Sequence, residues 1–194
     1  DNMTRLGLGY DEALKQAQKL GYAEANPATD VDGIDTWHKV ILSANVAFGI
    51  SLDKTTVPVS GIRNISAADV DCFKAHGKVC KLISTAKRTE DGFSAYVQPT
   101  LVDAGSPEGA VPLNYNLITF IGQTSERMSF YGQGAGRYPT AYNVVQDLVD
   151  VTQGKSFYAP YGAPQAADNQ EAHRYYVRGD WEGSIQEDWS TGVI

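Results

Sequence analysis

The chain has 194 residues, of which 42% are hydrophobic, and it carries a formal net charge of −7 with an isoelectric point near 4.9. This length is sufficient for one or two domains with a hydrophobic core, and the acidic charge argues against nucleic acid or an anionic membrane as a partner. No apolar run reaches the roughly 18 residues that a membrane-spanning helix needs, so we expect no membrane partner.

The first part of the chain is predicted to be largely helical. Hydrophobic spacing predicts helices over residues 10–20, 32–48 and 66–76. Ser66 and Asp69 have the spacing of a capping box at the start of the third helix.

The second part is predicted to supply strands and a final helix. Four segments have the composition of β-strands, namely Lys81–Arg88, Phe93–Val102, Asn116–Ile121 and Arg127–Tyr131. The last helix covers residues 139–152 and begins with Pro139, which suits a first helical position. This order, without a regular βαβ alternation, predicts an α+β fold: a mostly antiparallel mixed β-sheet, arranged as a meander and covered on one face by helices.

Acidic residues are concentrated around the start of the second helix. Glu24, Asp30, Asp32 and Asp35 lie close together in the sequence, and Lys39 follows Asp35 by four positions. Clustered like charges need a cation, a ligand rich in hydrogen-bond donors or open water. The cluster therefore predicts a site for a polar ligand.

The helix that carries Asp35 and Lys39 is unusually apolar. Residues 40–49 contain no charge, so we expect this helix to be covered on most sides and the Asp35–Lys39 pair to be buried. The alternative is an exposed i,i+4 bridge, which contributes only about 0.3–0.5 kcal/mol. A calcium loop is a weaker alternative, because the spacing around Asp30 and Gly33 lacks the further ligands of an EF-hand, and we expect no metal.

The run from Ala23 to Lys39 has the form A-x-x-N-P-x-x-D-V-x-G-x-D-x-x-x-K. This pattern resembles the signature of the homoserine dehydrogenase family. Further similarity occurs in the family's order at Tyr10–Leu20, Gly77–Lys87 and Gly132–Ala141. The resemblance covers residues 10 to about 152.

The resemblance implies the family's reaction, the reversible NAD(P)-dependent interconversion of L-aspartate 4-semialdehyde and L-homoserine in threonine, methionine and isoleucine biosynthesis. It implies that Asp30, Asp35 and Lys39 form the catalytic group, with Lys39 exchanging a proton with the substrate oxygen and Asp30 orienting Lys39. Glu24 and Asp35 are implied as partners of the substrate's ammonium and hydroxyl groups. Tyr22 is implied as a further substrate-binding residue of the pocket.

The glycine-rich segment Gly132–Gly136 does not have the spacing of a dinucleotide-binding fingerprint, and no other part of the 194 residues has it. The resemblance implies that NAD or NADP is held mainly by an N-terminal half outside this sequence, while Gly134 and Gly136 border the nicotinamide. The alternative for this loop is a turn with close packing. We expect residues 1–194 to be inactive by themselves, although their catalytic residues are intact.

The resemblance divides the chain near residue 152. Residues 1–152 correspond to the catalytic, substrate-binding and dimerisation domain, so we expect a homodimer and a small amino-acid substrate. Residues 153–194 are a tail in which Arg174–Arg178 resembles the first strand of a regulatory ACT domain, but Trp181–Ile194 is too short to complete one. Because the cofactor half is absent from the sequence, the alternative is a non-catalytic dimerising module that binds an amino acid.

The chain contains two cysteines, Cys72 and Cys80. Two are too few for a disulfide framework. We therefore expect both thiols to be reduced packing residues in a cytoplasmic protein.

Overall fold

The computed structural model describes residues 1–155, 162–179 and 188–189. The α-helices of these residues are α1 (Asn2–Leu6), α2 (Tyr10–Lys19), α3 (Ala28–Val31), α4 (Ile34–Phe48), α5 (Ala67–Ala75), α6 (Pro107–Ala110) and α7 (Arg137–Thr152), and Lys54–Thr56 forms a short 3-10 helix. The strands are β1 (Lys78–Arg88), β2 (Phe93–Asp103), β3 (Tyr115–Gly122) and β4 (Glu126–Gln133). The α+β class and the antiparallel pairing predicted from sequence are confirmed.

The strands form two separate hairpins. β1 pairs with β2 from Lys78 opposite Asp103 to the tight turn after Arg88, and β3 pairs with β4 in the same antiparallel manner. The predicted continuous meander is wrong, because β2 and β3 are not neighbours in either two-stranded sheet of the described residues. The short helix α6, capped by the Ser106 hydroxyl and opened by Pro107, turns the chain away between the two hairpins.

The core lies between α4 and the β1–β2 hairpin. Val40 and Ala44 of α4 are buried against Ala95 and Val97 of β2 and their neighbours. The indole of Trp37 donates a hydrogen bond to the carbonyl of Val57, 3.0 Å away. One stripe of α4 is thereby held against the hairpin, and the start of the helix is fixed relative to the sheet.

The predicted covering of α4 on most sides is wrong in the described chain. Leu42 and Val46 are 58% and 72% exposed, and only Val40 and Ala44 of this helix are buried. The reason is that α4 packs on the hairpin through a single stripe, which leaves its other face open.

Helix positions agree with the predictions to within a few residues, but three short α-helices, α1, α3 and α6, were missed. All three are too short to show a helical period. α3 is separated from α4 by Gly33, whose φ of 82° is left-handed and favours glycine. The predicted capping box at Ser66 and Asp69 is confirmed.

Part of the tail runs along the free edge of β2. The side-chain oxygen of Asn169 accepts hydrogen bonds of 2.9 Å from the Ser94 hydroxyl and from the Ala95 backbone. Ala167 forms a parallel bridge with Phe93. Residues 167–169 therefore add hydrogen bonds along the first part of β2.

The end of this segment is attached to α5. Tyr176 donates a hydrogen bond of 3.0 Å to Asp69, and Arg178 forms a charge-assisted hydrogen bond with the same carboxylate. The Arg174–Arg178 segment, compared above with the first strand of a regulatory domain, is not in a strand here. Apart from Asp188 and Trp189, the Trp181–Ile194 segment lies outside the described residues.

Candidate functional site

A cleft of about 710 Å³ lies where the segment before α4 faces the loop that opens α7. Its acidic wall contains side chains predicted for the site, namely Tyr22, Glu24, Asp30 and Asp35. Its glycine wall contains Gly134 and Gly136. A smaller cavity of about 260 Å³ near α1 shares no lining residue with this cleft.

The loop that carries Tyr22 and Glu24 is held by α2 and by an Asn-Pro turn. Gln18 of α2 donates a hydrogen bond of 2.9 Å to the carbonyl of Glu24. The backbone of Tyr22 donates to the carbonyl of Ala17 at 2.9 Å. Asn26 accepts from the backbone of Ala28 at 3.2 Å, which starts α3.

Asp30 is placed by α3, which packs closely on the Gly61 backbone. The backbone of Ile62 donates to the carbonyl of Val31 at 2.8 Å. An added Cβ at Gly61 would lie 2.2 Å from that carbonyl oxygen. Since only glycine permits this approach, the position of α3 depends on a residue outside the signature.

Asp32 forms an ion pair with Arg63 and is thereby separated from the other acidic residues of this segment. Arg63 donates to both of its oxygens, with 3.0 Å between Nη2 and Oδ2. The hydrogen bond from Arg63 lowers the pKa of this carboxyl below its ordinary value. Asp32 is thus neutralised and does not line the cleft.

Lys39 and Asp35 form the expected pair, but not the expected burial. Lys39 Nζ lies 2.6 Å from Asp35 Oδ2, and the two side chains are 54% and 44% exposed. The prediction of a buried pair is wrong because both residues lie on the open side of α4. Lys39 does not line the cleft. It is ion-paired with Asp35, which does line it.

The charges of the acidic wall influence one another. The pKa of Asp30 is raised from its ordinary value by burial and by the carboxylates of Asp35 and Glu24, while Lys39 opposes the shift. Asp30 therefore lies within electrostatic reach of Glu24, Asp35 and Lys39. Such a wall favours a bound cation and provides groups that exchange protons near it.

The glycine wall is built from the end of β4 and the start of α7. The backbone of Gly134 donates to the carbonyl of Asn114 at 2.8 Å, and the Asn114 side chain donates to the carbonyl of Ala135 at 2.8 Å. A Cβ at Gly134 would lie 2.0 Å from the side-chain nitrogen of Asn116. The loop is therefore closely packed, as the alternative of a turn with close packing predicted. It also lines the cleft.

Sequence reasoning missed Arg137 and Thr140, which line the cleft from the first turn of α7. Both lie in the quoted Gly132–Ala141 segment, but nothing in their spacing indicated which wall they face. In the described residues, no cluster of three or more histidine, cysteine or acidic side chains is suited to a metal ion. None of the described helices combines the length and the apolar character needed to cross a membrane.

A family model described as homoserine dehydrogenase matches residues 1–149. The chain belongs to the homoserine dehydrogenase family. The resemblance read from the Ala23–Lys39 signature is thus confirmed.

Curated homoserine dehydrogenases are similar to most of this chain. The Bacillus subtilis enzyme is 39% identical over 158 residues, which cover 78% of this chain and 36% of that protein. The Lactococcus lactis enzyme is 36% identical over 194 residues, which cover 95% of this chain and 44% of that protein. The chain therefore spans less than half the length of these relatives.

Solved homoserine dehydrogenases have a similar structure. The Thiobacillus denitrificans enzyme aligns with a TM-score of 0.73 at 38% identity, covering 78% of this chain and 35% of that one. The Staphylococcus aureus enzyme aligns with a TM-score of 0.72 at 32% identity, covering 83% and 41%. In this chain, the acidic and glycine walls come from the two segments that the signature and the Gly132–Ala141 similarity had indicated.

Proposed function

We propose that this chain provides the substrate-binding and catalytic part of an NAD(P)-dependent homoserine dehydrogenase, which interconverts L-homoserine and L-aspartate 4-semialdehyde in the biosynthesis of threonine and methionine. The observation that carries the proposal is the acidic wall. Glu24, Asp30 and Asp35 line one cleft, and Lys39 Nζ lies 2.6 Å from Asp35. The chain belongs to a family of enzymes whose substrate is a small, zwitterionic amino acid.

In the proposed reaction, Glu24 and Asp35 bind the substrate's ammonium and hydroxyl groups. Lys39 Nζ holds the proton that the substrate oxygen gains on reduction and takes it back on oxidation. Asp35 keeps this amine at the edge of the cleft through their ion pair. Asp30 orients Lys39 by its negative charge, and Tyr22 supplies a wall beside the substrate.

The residues present fit a nicotinamide nucleotide at one end of the cleft. A volume of about 710 Å³ lies within the usual range of ligand pockets, about 300–1,000 Å³, and leaves space beside an amino acid. Gly134 and Gly136 would border the nicotinamide, which supplies or accepts the hydride when bound. A 36% identical relative is named an NAD(+)-dependent homoserine dehydrogenase, and for this chain we propose NAD or NADP.

The proposal is tested by Lys39→Ala in the full-length enzyme, with Lys74→Ala, an exposed change on α5, as the matched control. Loss of a general acid/base lowers turnover by about 10²- to 10⁴-fold, so we expect kcat for homoserine oxidation to fall by this factor in Lys39→Ala only. The Lys39–Asp35 pair is exposed and contributes only about 0.3–0.5 kcal/mol, so the melting temperature should hardly change. Near-normal turnover in Lys39→Ala contradicts the assigned role, and homoserine binding without turnover in the wild type favours the non-catalytic binding module.

We also propose a homodimer that uses the β3–β4 hairpin. Ile118 and Phe120 of β3 are 48% and 41% exposed, and Met128 and Phe130 of β4 are 49% and 59% exposed. The register pairs Ile118 with Phe130 and Phe120 with Met128, so the four side chains lie on one face. Apolar faces of this kind are typical of protein interfaces. In a dimer with a two-fold axis, this face of one copy packs against the same face of the other.

We propose that the protein is cytoplasmic. Both Cys72 and Cys80 are free thiols, as a reducing compartment maintains them. Burial raises the pKa of the Cys80 thiol to about 11, so this thiol is protonated and unreactive near neutral pH.

A further inference from the structure

The charges of the cleft are divided between its two walls. The acidic wall contributes Glu24, Asp30 and Asp35, whereas Arg137 on the opposite wall is the basic side chain of the described lining. Within the described part of the chain, Arg137 forms no ion pair, and its guanidinium carbon lies 5.2 Å from the centre of the Tyr138 ring. Arg137 thus places a positive charge at the glycine wall of the cleft, with no carboxylate paired to it among the described residues.

The backbone around Arg137 favours the same kind of ligand. Arg137 is the first residue of the 16-residue helix α7, and the preceding Gly136 provides no side-chain cap. The first N–H groups of a helix have no partner within it and carry partial positive charge. The guanidinium and these N–H groups together make this end of the cleft suited to an anionic group.

We propose that Arg137 binds the α-carboxylate of the amino-acid substrate while the acidic wall binds its ammonium group. This assignment rests on the proposed function and adds a substrate-binding residue to it. A zwitterionic amino acid carries both charges on one carbon, and the cleft presents both complementary charges. A nucleotide phosphate suits the site less well, because the carboxylates of the acidic wall repel it.

The test uses three variants of the full-length enzyme: Arg137→Met, Arg137→Lys and, as the matched control, Arg5→Met on α1. The KM for homoserine, the KM for NADP⁺ and kcat are measured for each. A hydrogen bond to a charged group changes affinity by roughly 10- to 100-fold, so we expect the homoserine KM of Arg137→Met to rise by this factor. Arg137→Lys should recover part of the loss, and the nucleotide KM and the Arg5→Met values should remain unchanged.

The outcomes separate this assignment from the proposed function. If the wild type is active and Arg137→Met leaves the homoserine KM unchanged, the carboxylate assignment alone is overturned. A rise confined to the nucleotide KM also overturns it and assigns Arg137 to a phosphate. An inactive wild-type enzyme overturns the proposed function itself.

Discussion

The surroundings of Asp30 disfavour its ionised form. Burial and the carboxylates of Asp35 and Glu24 raise its pKa from the ordinary value of 3.8, and Lys39 only partly offsets them. A raised carboxyl pKa means that the folded state binds the proton more tightly than the unfolded chain. Ionisation of Asp30 therefore costs stability, which is lost as pH rises through the folded pKa.

We expect Asp30→Asn to raise the melting temperature at pH 7 and to lower the turnover of the full-length enzyme, as at sites where stability is traded for function. The gain in stability should vanish below about pH 4, where the wild-type carboxyl is also protonated. Thermal unfolding at several pH values measures this, with the exposed Asp71→Asn as control. A lower melting temperature of Asp30→Asn at pH 7 would show that Asp30 is a structural residue.

The site depends on the contact between α3 and Gly61. A Cβ at position 61 would lie 2.2 Å from the carbonyl oxygen of Val31 and 2.5 Å from the Cα of Asp32. Both neighbours are backbone atoms, so α3 has to move to accept a side chain. Because α3 carries Asp30, the movement also changes the acidic wall.

We expect Gly61→Ala to lower the free energy of unfolding by about 1–3 kcal/mol, the usual cost of overpacking. Gly105→Ala is the control, since a Cβ there meets no atom within 4 Å. Chemical denaturation of both variants makes the comparison. Equal midpoints for the two would contradict the proposed close contact in solution.

The tail is joined to α5 through the buried carboxylate of Asp69. Burial raises the pKa of Asp69, but hydrogen bonds from Ser66 and Tyr176 and the charge of Arg178 together bring it below the ordinary value of 3.8. A lowered carboxyl pKa stabilises the fold above the unfolded pKa, and this stability is lost as pH falls through the folded pKa. The attachment of the tail is therefore strongest near neutral pH.

We expect Arg178→Met to reduce the free energy of unfolding by about 1–2 kcal/mol at pH 7, since it removes a hydrogen bond to a buried charge. The loss should shrink as pH falls through the lowered pKa of Asp69, because protonation removes the charge that Arg178 contacts. Arg5→Met removes an arginine of similar exposure, 54% against 52%, and serves as the control. An unchanged stability of Arg178→Met at pH 7 would show that the tail is not held by this pair.

The two faces of the β3–β4 hairpin have different environments. One face is directed toward α6, where Arg127 pairs with Glu108. The other face carries the exposed apolar side chains proposed as the dimer interface, among them Phe120 and Phe130. The proposed interface is thus restricted to one side of the hairpin.

We expect light scattering to show a dimer of the full-length enzyme at micromolar concentration and a monomer for Phe130→Glu. A charge in the centre of an apolar interface has no partner and disfavours association. Ile121→Glu, on the opposite face of the hairpin, should remain dimeric. A monomeric wild type refutes the dimer, and a monomer produced only by Ile121→Glu would move the interface to the other face.

The long elements and the residue types of the site could be predicted from the sequence alone. Helical spacing, the Ser66–Asp69 capping box and strand composition depend on neighbours within a few residues, so they are readable without tertiary contacts. The same holds for the Ala23–Lys39 signature, whose residue types and spacing indicated the family. This local information did not predict α3, and it wrongly predicted that Lys39 is buried.

How these elements meet depends on the tertiary structure. It separated the hairpins, paired Asp32 with Arg63 and placed Arg137 opposite the acidic wall. It also left the Lys39 face of α4 open. These outcomes depend on packing between segments that are distant in the chain, and residue spacing does not encode which faces of two elements come into contact.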